Sequence, residues 1–216
     1  MNRPVSRATF LSGLLGLGAL AVAPNAYAAR NADAETFVRE NATRALAALG
    51  NASPAQREQQ FRQLMTQFAD TRRIALFVLG RYRGALEADP TLRSEWLAAF
   101  EQFAIANYQT QFSRFNGAAV TVSGSDQKTD TVVEVVSNIR PRGGDSAVVT
   151  WKVMRSGSGW RVTDIAIGAD AVWLGQIQQG LFMRQLDREF NGDLRRLLAD
   201  VRERTDTMRR TTIARS

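Results

Sequence analysis

The chain has 216 residues, 28 Lys and Arg against 21 Asp and Glu, a formal net charge of +7, and neither Cys nor His. The two zeros exclude a disulfide framework, a cysteine nucleophile, a Ser-His-Asp triad and a His/Cys zinc site, and neither a metal nor a cofactor is expected. Hydrophobic residues make up 44%, an ordinary globular share, and the length fits one domain with a sizeable core.

Residues 1–28 read as a secretory signal peptide. Arg3 and Arg7 give a positive start, Phe10 to Val22 is an apolar run of 13 residues, Pro24 breaks it, and Ala26-Tyr27-Ala28 is a small-x-small cleavage pattern. Thirteen residues are too few for an ordinary transmembrane helix. Nothing after the run is as long and apolar, so a soluble exported protein is expected. Only Lys128 and Lys152 are lysines, and all other basic residues are arginine. Many arginines alternate with acids, as in Arg188-Glu189 and Arg202-Glu203-Arg204. That pattern suits a solvated face. The alternative is attraction to anionic headgroups or an acidic partner, and no nucleic acid is expected.

The remainder divides into helices, strands and helices again. Residues 33–50 carry a helical stripe of Phe37, Ala42, Ala45, Leu46 and Leu49 that stops at Gly50-Asn51. Ser53-Pro54-Ala55-Gln56 predicts a capped start for a second helix with Phe61, Leu64, Met65 and Phe68 on one face. Asp70 or Thr71 caps a short third helix, and Asp89-Pro90 opens a long one through Trp96, Phe100, Phe103 and Tyr108 that ends at Asn116-Gly117. The period then changes from helical to two. Strands are predicted over 118–124, 131–140, 146–155 and 160–167, the last pair joined by the turn Ser156-Gly157-Ser158-Gly159. In the last strand Trp160 and Val162 share a phase that Ile165 and Ile167 do not. The switch falls at Asp164 and predicts a bulge or strong curvature. A helix follows from about Asp170. Asn191-Gly192-Asp193 breaks it and caps a final helix, and residues 211–216 are expected to form a flexible tail. The fold class is therefore α+β: a curved four-stranded antiparallel sheet with helices packed against it, in one domain over 29–210.

At this point the residues resemble a known family. Phe68-Ala69-Asp70 through Ile74-Ala75-Leu76-Phe77-Val78-Leu79-Gly80-Arg81-Tyr82 is similar to the F-D...I-A-x-F-V-L-G-R-Y segment of MlaC-type proteins, also called toluene-tolerance auxiliary proteins. Gly159-Trp160-Arg161-Val162-Thr163-Asp164-Ile165 resembles their G-W-K-V-x-D-V strand, and the order of elements agrees. Arg83 stands where the family often has Trp. Gly168-Ala169-Asp170-Ala171 replaces an E-G-x-S stretch, as in a divergent member such as the hopanoid-operon-associated branch. The resemblance implies a nuclear-transport-factor-2-like fold and a soluble periplasmic phospholipid carrier, monomeric. Its partners would be an inner-membrane ABC transporter complex and an outer-membrane lipoprotein complex.

A carrier needs a dry slot rather than a reactive group. The candidate wall residues are Phe77, Val78, Tyr82, Phe100, Phe103, Ala104, Tyr108, Val135, Val149, Trp151, Val153, Ile165, Val172 and Leu174. Each of these is also an ordinary core residue type. Gly80 and Gly168 are candidate flexible points, and Arg81 and Arg83 either meet a phosphate or lie on the surface with their stems over apolar area. No catalytic residue is expected. The competing class is an enzyme in which Asp164 and Tyr108 share an apolar pocket and move protons on a ring-shaped substrate. A scaffold with a solid core is the third class. The shape of the pocket discriminates among them.

Overall fold

The computed structural model describes residues 30–50, 53–112, 115–141, 144–157, 159–168 and 172–214, so the expected signal peptide lies outside the described residues. Helix α1 spans Ala32–Ala48, α2 Pro54–Phe68 and α3 Thr71–Phe77. A 3₁₀ turn at Gly80–Gly84 and the single turn α4 (Ala85–Ala88) lead into the long helix α5, Pro90–Phe112. Strands β1 (Ala119–Thr129), β2 (Val132–Arg140), β3 (Ala147–Ser156), β4 (Gly159–Ile167) and β5 (Val172–Trp173) follow, then α6 (Leu174–Arg188) and α7 (Leu194–Ala214). Helix α7 runs on into the stretch expected as tail. Among the described residues no helix is long and apolar enough to cross a membrane.

Short polar side chains start most of these helices. Asn31 Oδ1 accepts from Ala34 N at 3.0 Å, Asp70 Oδ1 from Arg73 N at 2.9 Å, and Asp89 Oδ1 from Leu92 N at 2.9 Å, each satisfying a donor the helix cannot. The capping box expected at Ser53 is absent, because the Ser53 side chain makes no capping bond. Pro54 lacks an N–H and arrives with helical φ, so that start has one fewer donor to satisfy. Between α6 and α7 the chain turns through Asn191 (φ +50°) and Gly192 (φ +77°), and Asp193 then accepts from Arg195 N at 2.8 Å.

The strands form one antiparallel sheet in the order β1-β2-β3-β4-β5. The fifth strand was not expected. Val172 and Trp173, read as helix, pair with Ile167 and Ala166 instead. A β-branched and an aromatic residue suit a strand, and the helix begins one residue later. The bulge is where the phase change put it. Lys152 opposes Asp164 and Val153 opposes Val162, which leaves Thr163 as the extra residue. The inserted residue keeps Val162 and Ile165 both buried despite their odd spacing. Strand β1 carries two more irregularities, between Val122 and Gly124 and between Gln127 and Thr129.

Two apolar clusters meet along α5. In the first, α1 and α2 cover the sheet face that carries Val133, Val135, Val149, Trp151 and Val153. Trp151 Nε1 donates to Ser137 Oγ at 2.8 Å, which satisfies the indole in a strand interior. The second cluster is helical and joins α3, α4, α5, α6 and α7 through Val78, Leu79, Trp96, Phe182, Leu186 and Leu197. Trp96, 1% exposed, donates its indole N–H to the Ala75 carbonyl at 2.9 Å and packs edge-on to Phe182 with ring centroids 5.8 Å apart. Tyr108 touches both clusters. Trp96→Ala is expected to lower unfolding stability by about 3–5 kcal/mol, read from urea denaturation.

Candidate functional site

The sheet core is not filled. An apolar pocket, ≈ 550 Å³ with the open solvent at its mouth included, lies between the helices and the sheet. Helix α1 contributes Ala42, Ala45 and Leu46, α2 contributes Phe61, Met65 and Phe68, and Ile74 of α3 stands near the junction residue Ala69. The opposite wall is Ile139, Trp151, Val162 and Ile165 of the sheet, and Tyr108 of α5 and Asp164 of β4 complete the ring. The helical wall is attached to the sheet at one end. Asp70 N donates to Val162 O at 2.9 Å, Ala69 forms a parallel bridge with Val162, and Arg161 Nη1 donates to Thr66 O at 3.1 Å and also to Gln67 O. The short side chains Ala42 and Ala45 face Trp151 across the space, where longer ones would close it.

Asp164 is the one charged group on this wall and is 9% exposed. Its Oδ1 accepts the N–H of Ile165 at 2.8 Å and of Gly175, near the start of α6, at 2.9 Å. Burial raises its carboxyl above the usual carboxylate range, while the Gly175 and Ile165 N–H groups and Lys152 pull the other way. Burial, and then the Asp164 charge, push the Tyr108 hydroxyl far up, so it stays protonated. Lys152 faces Asp164 across the ladder but lays its ammonium over the Trp173 ring, 4.1 Å from the centroid. Asp164 and Tyr108, the pair singled out for an enzyme, do share the cavity.

Of the fourteen residues proposed for the wall, Tyr108, Trp151 and Ile165 line this cavity. Val135, Val149 and Val153 are fully buried in the sheet core beside it, and Leu174 packs against that core. Val78, Phe100, Phe103 and Ala104 lie in the helical cluster, with Tyr82 packed against it. Phe77 and Val172 are exposed. Tyr82 donates its hydroxyl to Asp187, which also pairs with Arg81; those two bonds hold the Asp187 carboxyl below its ordinary value. Gly80 and Gly168 adopt left-handed φ of +53° and +95°. The residues of α1 and α2 were legible as helical stripes but were not proposed as wall. The signal lay in the alanines of the α1 stripe, which leave room that leucine would fill.

The chain matches the family model for the MlaC protein over residues 39–203. The chain belongs to the MlaC family. No curated protein matches it. Among solved structures it is similar to the phospholipid-binding protein from Ralstonia solanacearum, determined in complex with a phospholipid. The two are 24% identical, with a TM-score of 0.66, over 82% of this chain and 99% of that one. The likeness shows that this MlaC-family chain has the same fold.

Two outcomes follow from the Asp164 environment. A Cβ on Gly175 would stand 2.8 Å from Asp164 Oδ2 and 3.1 Å from Oδ1, so only glycine fits beside the carboxylate. Gly175→Ala is expected to destabilise by about 1–3 kcal/mol in a denaturant titration, where the same change at an open helix position stabilises. Because the folded pKa of Asp164 is raised, its contribution is fully present below the unfolded value and is lost as pH rises through the folded one. The wild type should therefore lose stability relative to Asp164→Asn as pH climbs above about 4. Thermal melts of both proteins across pH check this, and parallel curves would contradict it.

Proposed function

We propose that this chain is an exported lipid carrier. It holds acyl chains in the cavity between α1, α2 and the sheet, and moves phospholipid between an inner-membrane ABC transporter complex and an outer-membrane lipoprotein complex. The observation that carries the reading is an apolar cavity in the sheet core of a MlaC-family chain whose structural relative was solved with a phospholipid. The family and the leader-like residues 1–28 support a periplasmic setting.

The energetics fit a carrier. Each methylene taken out of water is worth roughly 0.8 kcal/mol, so a chain of about 16 carbons represents on the order of 12 kcal/mol. A lipid cannot cross water unaided against that term. Release in turn requires a partner that offers an equally apolar path. A methylene takes about the room of a liquid water, roughly 30 Å³, so a chain of about 16 carbons needs on the order of 500 Å³. The ≈ 550 Å³ between helices and sheet includes open solvent at the mouth, so the enclosed part is smaller than one such chain and has to widen to take it. Two chains require the helical wall to move away from the sheet, and α1 and α2 are the elements to move. Tyr108, Trp151 and Ile165 are the contact residues proposed from both sequence and cavity, joined by Ala42, Ala45, Phe61 and Met65.

A hopanoid-type lipid is the alternative cargo. An enzyme is the second reading, favoured by Asp164 and Tyr108 in one apolar cavity. The family and the bound relative favour the carrier. The test is native mass spectrometry of the protein purified from bacterial periplasm, followed by solvent extraction of whatever is bound. Stoichiometric phospholipid is expected, and Ala45→Phe, which fills the cavity, should cut retained lipid by about tenfold or more with an unchanged circular dichroism spectrum. A polycyclic lipid in the extract replaces the cargo. A clean apo mass with no uptake from liposomes would sink the carrier.

A further inference from the structure

The cavity wall is aliphatic and aromatic except where Asp164 and Tyr108 stand. Asp164 Oδ1 is fully used, with two backbone N–H groups on it at 2.8 and 2.9 Å. Among the described residues, no hydrogen bond reaches Oδ2. The cation across the ladder, Lys152, is stacked over Trp173, and no ion pair with Asp164 forms. Asp164 is 9% exposed and lines the apolar cavity, and its second oxygen has no protein partner there among the described residues.

We infer that Asp164 is a recognition point inside the cavity, which selects an amphiphile that brings a hydrogen-bond donor, a hydroxyl or a primary ammonium, to Oδ2. The reason is the asymmetry of polar sites. A pocket that already holds a buried acceptor gains little from an apolar group placed against it, because the acceptor stays unpaired. A donor of the same shape completes it, and a site of this kind rejects the analogue that lacks the group. The donor has two chemical sources: a hydroxyl carried on an acyl chain, or the ammonium of an ethanolamine headgroup. The inference rests on the carrier reading and adds a selectivity to it.

Asp164→Asn isolates the effect. Its Oδ1 still accepts from Gly175 N and Ile165 N, while an NH₂ takes the place of Oδ2, so the cavity trades an acceptor for a donor. The delipidated exported chain and this variant are offered two lipid pairs in native mass spectrometry competition. One pair is dipalmitoyl phosphatidylethanolamine against dipalmitoyl phosphatidylcholine. The other is lysophosphatidylcholine with a 12-hydroxystearoyl chain against the same lipid with a 12-oxostearoyl chain. The wild type is expected to favour the donor-bearing member of at least one pair by about tenfold, and the variant to lose or reverse that ratio. A ratio in the first pair identifies the headgroup as the source, and a ratio in the second identifies the chain. Ratios near one in the wild type, or ratios the variant leaves unchanged, overturn the inference and leave the carrier standing. Binding of no lipid by either protein removes the carrier reading and this one with it. If the Asn variant does not fold, Asp164→Ser, which keeps an oxygen for the Gly175 N–H, carries the same comparison.

Discussion

Helix α5 is apolar around most of its circumference, and a helix of that kind has to be covered on several sides at once. Leu92, Trp96, Ala99, Phe100 and Phe103 look toward the other helices, whereas Ile105 looks toward the sheet core and Tyr108 reaches both. One element therefore forces two cores to exist side by side. The sheet needs a cover for one face only, and α1 and α2 supply it. The second cluster gathers α3, α4, α6 and α7 on the other flank. The rest of the chain order, helices before and after a meander, follows from closing both flanks of one helix.

The two cores are packed differently, and the difference has a chemical origin. In the helical cluster large rings meet each other: Trp96 with Phe100, Phe100 with Phe103, and Phe182 with both Trp96 and Phe103, at centroid separations of 5.8 to 6.1 Å. In the sheet core alanines of α1 stand opposite the sheet, and the gap remains as the cavity.

Much of this was legible from sequence. The period change after Gly117, the caps at Asp70 and Asp89, and the odd spacing of Val162 and Ile165 are local signals, and local backbone rules decide them. Strand β5 was not legible, because two residues are too few to establish a period. The cavity wall was harder to read. Aromatic side chains attract attention as ligand walls, yet size fills space as readily as it lines it. Whether Phe103 faces a neighbour ring or an open slot depends on what lies across from it, which no pattern along one chain reports. Asp164 was legible as a bulge residue. Its position against the start of α6 joins residues eleven apart, so the contact with Gly175 needed the folded chain.

Strand β1 is the long edge of the sheet, and a bare edge offers unpaired backbone donors and acceptors to any passing strand. Its two bulges break that offer into short pieces, and Lys128, bonded to Asp126 and Glu134, sets charges on it. At the opposite edge β5 contributes only two residues before the chain turns into a helix. A partly opened sheet with a regular edge would be a template for stacking one copy on the next. The irregularities of β1 keep this edge from being such a template.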